Sequence, residues 1–517
     1  MKLVNCLQEK SLWEEKGFAL PDYDREAVCA KTKDAPVWVH FGTGNIFRAF
    51  FAPLQDSLLC QGLADRGIVA IGRRKSQDVE SIYRPFGNMT LLVILKADGG
   101  MDKRVVGSVT ESLSVDKKDD GEWARLLDIF ASPSLQMATF TITEKGYGVT
   151  SEGSMMAQAA ALCYHRFLNG AFPIALVSQD NCSQNGRRLF EAVYSIAEEW
   201  VRVGTADSSF LDYLRDPNRV SFPWSMVDKI TPRPDVQIAE ALTALGVENM
   251  DMVVTPTGTF TAPFVNAEET QYWVVEDSFP NGRPSLEAAG VIFTDRETVE
   301  KTERMKVCTC LNPLHTALAI FGCLLSYKTI WEEMRDEGLR QLVQRLGFDE
   351  GLPVVTDPEI LSPSEFIRQV VEVRFPNPFI PDTPQRIACD TSQKLPIRFG
   401  ETIKEYLAKD PSGAENLRYI PLVLAGWCRY LLGINDDGEV FELSPDPRLA
   451  EMRDYLKGVS LGDSGPFYEQ LDPILRDASV FGVDLYEAKL AKKVHDRFTE
   501  MVSGPGAIRE TLRSMLV

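Results

Sequence analysis

The sequence predicts an α/β fold in its first half, with a doubly wound parallel sheet, and a mainly α-helical domain in its second half. Short apolar runs alternate with helical stretches as far as residue 295, whereas helical spacing dominates from residue 296 onward. At 517 residues the chain is also too long for one hydrophobic core. We therefore expect an N-terminal arm at 1–35, an α/β domain at 36–295 and a helical domain at 296–517.

The apolar runs of the first half predict its strands. Residues 37–41 are apolar and β-rich and end at Gly42, helical spacing follows at 48–63, and residues 67–71 predict a second buried strand. Strand, glycine turn, helix and strand form the start of a parallel α/β sheet. The remaining elements predicted in this half are strands at 90–95, 137–142, 173–178 and 252–256, and helices at 155–168 and 188–203.

The ends of the chain carry mainly helical patterns. Residues 1–35 predict a polar arm with one short helix. The helices predicted after residue 295 lie at 311–326, 329–346, 364–373, 417–432 and 484–501.

Composition excludes several classes of protein. A formal net charge of −19 argues against a nucleic-acid binder and against binding to an anionic membrane surface. The sequence has no signal-peptide core near its N-terminus and no apolar stretch of the roughly 18 residues that a membrane span requires. Its ten cysteines form no CxxC pair and its four histidines no HExxH motif, so we expect a reduced, cytoplasmic protein without a metal.

The turn after the first strand predicts a dinucleotide site. Gly42 permits a tight turn, Gly44 lets backbone N–H groups approach a pyrophosphate, and the next helix presents its positive end to that anion. Phe47 occupies the third glycine position, so the GxGxxG pattern is imperfect, and a purely structural turn is the alternative. The pattern favours a Rossmann-like domain with cofactor-binding residues Gly42, Gly44, Asn45, Ile46, Phe47, Arg48 and Arg73.

The residues that follow the second predicted strand do not decide between NAD and NADP as the cofactor. An acid at its end would hold the ribose hydroxyls of NAD, and here the nearest acid is Asp78. The three cations at 73–75 would instead neutralise the 2′-phosphate of NADP, or they form a solvated basic loop.

A second cluster contains the residue types that a metal-independent alcohol dehydrogenase requires. Such an enzyme needs a base for the alcohol proton and donors for the developing oxyanion. Lys306, Asn312 and His315 supply a base and two donors within ten residues. Asn312 and His315 are three residues apart and so share a helix face.

With these motifs the sequence resembles the long-chain mannitol dehydrogenase family of polyol and hexuronate oxidoreductases. The resemblance covers nearly the whole chain. It is carried by the turn with Gly42, Gly44, Arg48 and Ala49, by the cluster around Lys306, and by the blocks 178–181 (SQDN), 222–232 (FPWSMVDKITP) and 386–396 (RIACDTSQKLP).

The resemblance implies roles for individual residues. Lys306 would be the general base, with Asn312 and His315 holding the reacting oxygen. Asn181 would complete the catalytic group, while the substrate-binding residues would be Asp228, Arg386 and Lys394. The alternatives are turn or cap residues for Asn181 and Asp228, and surface cations for Arg386 and Lys394.

The spacing of the cluster departs from the family pattern. Five residues separate Lys306 from Asn312, one more than is usual in the family. In a regular helix the extra residue would rotate Lys306 by about 100°. A local bulge, or a helix that begins after Lys306 with Pro313 in its first turn, would restore the geometry.

The resemblance narrows the substrate to a sugar acid or polyol. Arg386 and Lys394 could pair with a carboxylate or bind hydroxyls, and residues 391–396 are closer to the fructuronate reductase branch. We therefore expect interconversion of D-fructuronate and D-mannonate with NAD or NADP, in a monomer or small homo-oligomer. The alternatives are mannitol 2-dehydrogenase, tagaturonate reductase, a phosphorylated-polyol dehydrogenase and, from another class, a non-catalytic nucleotide-binding regulator.

Overall fold

A computed structural model describes residues 1–72, 78–114, 120–148, 151, 153–254 and 260–516. The predicted cofactor residue Arg73 and the end of the predicted strand 252–256 lie outside the described residues. The chain divides into two compact units. One comprises residues 1–96 and 100–300, and the other comprises residues 301–517 and 97–99.

The described strands belong to the first unit. In chain order they are β1 Phe18–Ala19, β2 Trp38–Phe41, β3 Ile68–Gly72, β4 Thr90–Leu95, β5 Met101–Val106, β6 Val109–Ser114, β7 Met137–Phe140, β8 Ile174–Ser178, β9 Val220–Ser221, β10 Ser225–Asp228, β11 Val253–Val254, β12 Phe260–Thr261, β13 Phe264–Glu268, β14 Tyr272–Glu276 and β15 Ile292–Thr294.

Six of these strands form a parallel sheet in the order β6-β3-β2-β7-β8-β9. Numbered along the chain within this sheet, the order is 3-2-1-4-5-6, which is the doubly wound arrangement. The prediction of such a sheet is confirmed. Ligands of this fold bind where the strand order reverses, beyond the carboxyl ends of the strands, and here that point lies between β2 and β7.

The central strands are buried on both faces, as a parallel sheet covered by helices requires. Val39 and Phe41 enter one apolar cluster, whereas Trp38, the residue before Val39, enters another. Successive side chains of a strand point to opposite faces, so β2 contributes to both cores.

Other strands lie outside the parallel sheet. The apolar run of β4 was expected in that sheet, but β4 pairs antiparallel with β5 and parallel with β13 in the order β1-β5-β4-β13. An apolar run predicts burial, and it does not specify which sheet buries the strand. The remaining sheets are β10-β14-β15 and the short pair β11-β12.

The helices of the first unit begin with two in the N-terminal segment, where the sequence predicted one. Asp24 caps the second of them by accepting a hydrogen bond from the Ala27 N–H at 3.0 Å. Next to these helices, β1 pairs with β5. The α-helices are α1 Lys10–Glu15, α2 Arg25–Asp34, α3 Ala52–Cys60, α4 Asp120–Ala131, α5 Glu144–Tyr147, α6 Met155–Leu168, α7 Asn185–Arg202, α8 Ser209–Arg215 and α9 Val236–Ala244; π-helical segments are Phe47–Phe51 and Val79–Tyr83, and 3₁₀ turns are Leu3–Asn5, Arg84–Phe86 and Leu286–Ala289.

The second unit is helical in its described residues, and the prediction of a mainly helical second half is confirmed. Helix α10 crosses the boundary between the units. The α-helices are α10 Arg296–Arg304, α11 Asn312–Leu324, α12 Ile330–Glu333, α13 Glu337–Arg345, α14 Pro363–Gln369, α15 Pro384–Ile387, α16 Thr391–Leu395, α17 Glu401–Lys409, α18 Tyr419–Tyr430, α19 Leu449–Tyr455, α20 Tyr468–Leu475, α21 Ala478–Phe481, α22 Ala491–Val502 and α23 Ala507–Leu516. The π-helical segments are Met305–Cys310, Leu346–Gly351, Val370–Arg374 and Pro396–Gly400, and the 3₁₀ turns are Leu352–Val354 and Gly413–Asn416.

In this part of the chain, one predicted helix is interrupted and one helical stretch is long and apolar. The predicted helix 329–346 is interrupted because Asp336 accepts a hydrogen bond from the Leu339 N–H at 3.0 Å and so begins α13. The helical stretch Arg296–Leu324 is long and apolar enough to cross a bilayer, but 72% of its most apolar window is buried inside the protein, as in a core helix.

Candidate active site

Gly42 shapes the turn that follows β2. Its φ of +132° lies in a region that L side chains rarely adopt. A Cβ at this position would lie 2.3 Å from Thr141 Oγ1 and 2.7 Å from the Thr141 carbonyl oxygen. The Gly42 N–H donates to the Ile71 carbonyl at 2.9 Å, which ties the turn to the end of β3. Only glycine fits this turn without displacing backbone.

Gly44 has the opposite surroundings. A Cβ at Gly44 would meet no atom within 4 Å, so open space adjoins its backbone. The chain becomes helical at Asn45, directly after this opening. A helix start beside an open glycine is the arrangement that receives a pyrophosphate, and so the turn fits a dinucleotide.

The side chains that follow Gly44 face the interior. Arg48 is 0% exposed and donates to the Ala262 carbonyl at 2.6 Å and to Asn45 Oδ1 at 2.9 Å. Phe47 stacks on the His40 ring with centroids 3.9 Å apart. Phe47 and Arg48, both predicted to bind cofactor, therefore brace the turn with their side chains, while Asn45 and Ile46 are partly exposed.

His40 is part of this interior. Its Nδ1 lies 2.7 Å from Thr139 Oγ1 and its Nε2 lies 2.9 Å from Thr141 Oγ1. Burial lowers its pKa well below the ordinary value, so the ring is neutral. His40 thus holds β2 against the segment around β7.

Asp78 is the acid nearest to the end of β3. Its Oδ2 accepts a hydrogen bond from Thr43 Oγ1 at 3.1 Å. Its Oδ1 is buried and accepts no hydrogen bond from any described residue. A buried carboxylate oxygen without a donor is costly, and a ribose hydroxyl would supply one.

The carboxyl ends of β7 and β8 are joined by Asp180. This carboxylate accepts hydrogen bonds from the backbone N–H groups of Ile142 and Thr143, both at 2.9 Å, and from the Tyr147 hydroxyl at 2.7 Å. Burial and the adjacent carboxylate raise the pKa of Tyr147 well above its ordinary value, so the hydroxyl keeps its proton and acts as a donor. Asp180 therefore fixes the loop that leads into Asn181.

Asn181 lies exposed in that loop, and Asp228 ends β10 with 7% exposure. The two are connected through Asn185, which the sequence analysis missed. Asn185 Nδ2 donates to the Asp180 carbonyl at 3.1 Å and to the Ser225 carbonyl at 2.8 Å, and its Oδ1 accepts from the Ser225 N–H at 2.9 Å. Asn185 thus ties the loop of Asn181 to the strand of Asp228.

A π-helical segment accommodates the extra residue after Lys306. Helix α10 passes into the π-helix Met305–Cys310, and the Leu311 N–H donates to the Lys306 carbonyl, five residues earlier, at 3.1 Å. Leu311 then leaves helical geometry with φ −129° and ψ −59°, and α11 begins at Asn312 with a proline in its first turn. The structure thus combines the bulge and the new helix start that the spacing required. Lys306 within it is 2% exposed.

Asn312 and His315 occupy the first turn of α11. No described residue hydrogen-bonds to the Asn312 side-chain amide. His315 Nε2 is buried without a hydrogen bond from or to the described residues, and Asp382 Oδ2, its nearest acid, is 3.5 Å away. Polar groups of two neighbouring side chains that have no hydrogen bond with the described residues are suited to hold an oxygen of a substrate.

Burial and surrounding cations keep His315 neutral. Burial is the largest cause, and charge repulsion from neighbouring cations adds to it; together they lower the pKa of His315 to about 3. The cations concerned are Arg398, Arg386, Arg374 and Lys394. A neutral imidazole can still donate one N–H hydrogen bond, which is what polarising a carbonyl oxygen requires.

Arg386 and Lys394, the two cations that the sequence predicted, are engaged by other groups of the protein. Arg386 forms an ion pair with Asp382. Lys394 donates to the carbonyl oxygens of Ile387, at 2.9 Å, and Cys389. Burial, with repulsion from Arg398, lowers the pKa of Lys394 below its ordinary value.

Two family models match successive parts of the chain. The family model "Mannitol dehydrogenase Rossmann domain" matches residues 37–288, and the model "Mannitol dehydrogenase C-terminal domain" matches residues 298–502. The chain belongs to the mannitol dehydrogenase family. It is therefore an oxidoreductase, and the family resemblance seen in the sequence is confirmed.

Individual relatives cover most of the chain. A D-mannonate oxidoreductase of Thermotoga maritima is 49% identical over 99% of this chain and 98% of its own length. A mannitol 2-dehydrogenase of Cereibacter sphaeroides is 29% identical over 84% and 87%, and a D-mannonate oxidoreductase of Escherichia coli is 27% identical over 84% and 89%.

Two solved structures support the fold. The Pseudomonas fluorescens mannitol 2-dehydrogenase in ternary complex with NAD and D-mannitol aligns with a TM-score of 0.69 at 24% identity, covering 97% of each chain. A substrate-free D-sorbitol dehydrogenase aligns with a TM-score of 0.74 at 22% identity, covering 92% of this chain and 97% of the other.

Within this mannitol dehydrogenase family member, the helical unit brings together more cations than the sequence analysis identified. Arg374 and Arg398 were missed. Arg398 stands two residues beyond the block 386–396, so its position in the sequence was the available signal. Among the described residues, no three His, Cys, Asp or Glu side chains are grouped as metal ligands.

Proposed function

We propose that this chain interconverts D-mannonate and D-fructuronate by transfer of a hydride to or from a nicotinamide dinucleotide. The relative named D-mannonate oxidoreductase, identical at 49% of positions over 99% of the chain, supports this substrate. The structural observation that carries the choice of a sugar acid is the group of four cations around His315. Arg386 is paired with Asp382, but Arg398 has no carboxylate partner among the described residues, so an anionic substrate would compensate for its charge.

The residues of the helical unit would act on the secondary alcohol. Lys306 would take the alcohol proton as the general base. The amide of Asn312 and the neutral ring of His315 would donate hydrogen bonds to the reacting oxygen. Asn181 would complete the catalytic group, and Asp228, Arg386 and Lys394 would bind the remaining oxygens of the sugar chain, as the family resemblance implies.

The glycine turn fits the dinucleotide. The open backbone at Gly44 and the helix start at Asn45 would receive the pyrophosphate, and Asp78 would accept from a ribose hydroxyl. When bound, the nicotinamide ring supplies or accepts the hydride. We propose NAD as the main cofactor because Asp78 offers a carboxylate where NADP would place a phosphate.

The partners we propose are small molecules alone. The net charge of −19 opposes nucleic-acid and anionic membrane binding. We propose a cytoplasmic monomer or small homo-oligomer.

The test measures the absorbance of reduced nicotinamide with the purified protein, NAD or NADP, and each of D-mannonate, D-altronate, D-mannitol and D-arabinitol. We expect turnover with D-mannonate, and faster with NAD than with NADP. Turnover with D-altronate alone would assign the enzyme to the tagaturonate branch. Turnover with D-mannitol alone would overturn the proposal in favour of the activity named for the 29% identical relative.

A further inference from the structure

Arg398 differs from Arg386 and Lys394, two of the other cations around His315, in what it contacts. Arg386 is neutralised by Asp382, and two of the three ammonium donors of Lys394 are directed at backbone carbonyls. Arg374 is 3% exposed, which leaves little of its surface for a ligand.

The partners of Arg398 are neutral oxygens. Its Nη1 donates to Thr316 Oγ1 at 2.5 Å and to the Asn312 carbonyl at 3.4 Å. Among the described residues it has no carboxylate partner, and its Nε and Nη2 groups have no acceptor. Burial lowers its pKa to about 10, so it stays charged at neutral pH. A largely buried charge without a counter-ion is unfavourable, and an anionic ligand would compensate for it.

The geometry of the guanidinium indicates which anion fits. Nη1 is anchored to the first turn of α11, the turn that carries Asn312 and His315. The edge formed by Nε and Nη2 is left for a ligand, and that edge presents two parallel N–H groups. Two parallel donors match the two oxygens of a carboxylate.

We propose that Arg398 binds the carboxylate of the substrate and makes the site select a sugar acid over a neutral polyol. This inference rests on the proposed function, and it assigns the carboxylate to Arg398 while leaving the sugar hydroxyls to Arg386 and Lys394. Arg398 is then the residue that determines specificity, distinct from the group that acts on the alcohol.

The test compares Arg398→Gln and Arg398→Lys with the wild-type enzyme, using D-mannonate, D-mannitol and NAD. In Arg398→Gln we expect kcat/KM for D-mannonate to fall roughly 10- to 100-fold, mainly through KM, since a hydrogen bond to a charged group is lost. Arg398→Lys keeps the charge and loses the paired donors, so its KM should rise less. NADH binding, measured by fluorescence, should change little. Because D-mannitol has no carboxylate, kcat/KM for D-mannonate should fall more than any kcat/KM for D-mannitol, so that the ratio of the two falls.

The matched control is Arg509→Gln. Arg509 is another partly buried arginine of the helical unit, but it pairs with Asp336 and donates to the Tyr327 hydroxyl at 2.9 Å. This variant should lower the Tm and leave the KM for D-mannonate unchanged.

The outcomes separate the two proposals. If the wild-type enzyme does not turn over D-mannonate, the proposed function fails and the inference fails with it. If it does, and both Arg398 variants keep the wild-type KM, only the inference is overturned. If Arg398→Gln fails to fold, a raised KM in a folded Arg398→Lys enzyme supports the inference and an unchanged KM overturns it.

Discussion

The glycine turn after β2 and the segment around Lys306 are both built on π-helical residues, Phe47–Phe51 in the first and Met305–Cys310 in the second. In the glycine turn the nearby side chains are directed inward, since Arg48 is bonded within the protein and Phe47 stacks on His40. In the second region Asn312 and His315 have polar groups without hydrogen-bond partners among the described residues. We therefore propose that the first region meets its ligand with backbone groups and that the second meets its ligand with side chains.

This difference determines how substitutions should act. In the glycine turn, a change should act through backbone conformation and the space beside it, whatever the chemistry of the new side chain. Around Lys306, a change that preserves shape should still remove activity, because the proposed roles belong to the functional groups themselves. Measuring stability, cofactor affinity and turnover separately for variants in each region therefore tests this difference between the glycine turn and the segment around Lys306.

The largest effect should come from Lys306→Met, which keeps the length of the side chain and removes the proposed base. We expect kcat/KM to fall roughly 10²- to 10⁴-fold, the usual contribution of general acid–base catalysis. NADH binding should be retained, because the glycine turn is untouched. Steady-state kinetics and NADH fluorescence measure the two effects. Lys328→Ala, at an exposed lysine, is the control, and wild-type turnover in Lys306→Met would show that another group is the base.

In the first unit, the sequence predicted the secondary elements well where the apolar pattern of a segment matches its position in the fold. The run at 37–41, the glycine at its end and the helix after it gave β2 and its turn, because burial on both faces requires continuous apolar residues. The sheet of β4 was not predicted, since the same apolar pattern suits a strand of either sheet.

The candidate site was predictable only in part. Lys306, Asn312 and His315 are close in sequence, and Asn312 and His315 share one helix turn. Arg398 contacts that turn from 82 residues away, through Thr316, and such a contact depends on packing that no local pattern encodes. The inward positions of Phe47 and Arg48 were also hidden, because a motif states which residues occur and not where they point.

A pair of glycine variants should give the next largest effect. In Gly42→Ala the new Cβ would collide with Thr141 and the positive φ would be strained, so we expect a loss of about 1–3 kcal/mol in unfolding free energy together with weaker NADH binding. Gly44→Ala meets no protein atom, so its stability should stay within about 0.5 kcal/mol of the wild type. Its NADH affinity should nevertheless fall roughly tenfold, a loss of about 1.4 kcal/mol. Chemical denaturation and NADH titration measure these quantities, and a Gly44→Ala protein with wild-type affinity would mean that the dinucleotide does not approach this backbone.

The smallest effect concerns the charge of His315. Because its pKa is about 3 in the folded protein and about 6.5 in an unfolded chain, the unfolded state binds the extra proton as the pH falls below 6.5. The stability that comes from keeping His315 neutral is therefore complete above that pH and is lost progressively as the pH falls toward 3. Between pH 7.5 and pH 5.5 the loss amounts to about 1 kcal/mol.

Unfolding free energies of the wild-type protein and His315→Gln at these two pH values isolate this contribution, because the second neutral core histidine, His40, is present in both proteins. The wild type should lose about 1 kcal/mol more than the variant on going to pH 5.5. The comparison also bears on catalysis, since a ring that stays neutral over this range can donate its hydrogen bond throughout. If the two proteins lost the same unfolding free energy, His315 would be protonated in the folded state near pH 6. The cations around the ring would then not keep it neutral, which is the form proposed to donate to a carbonyl oxygen.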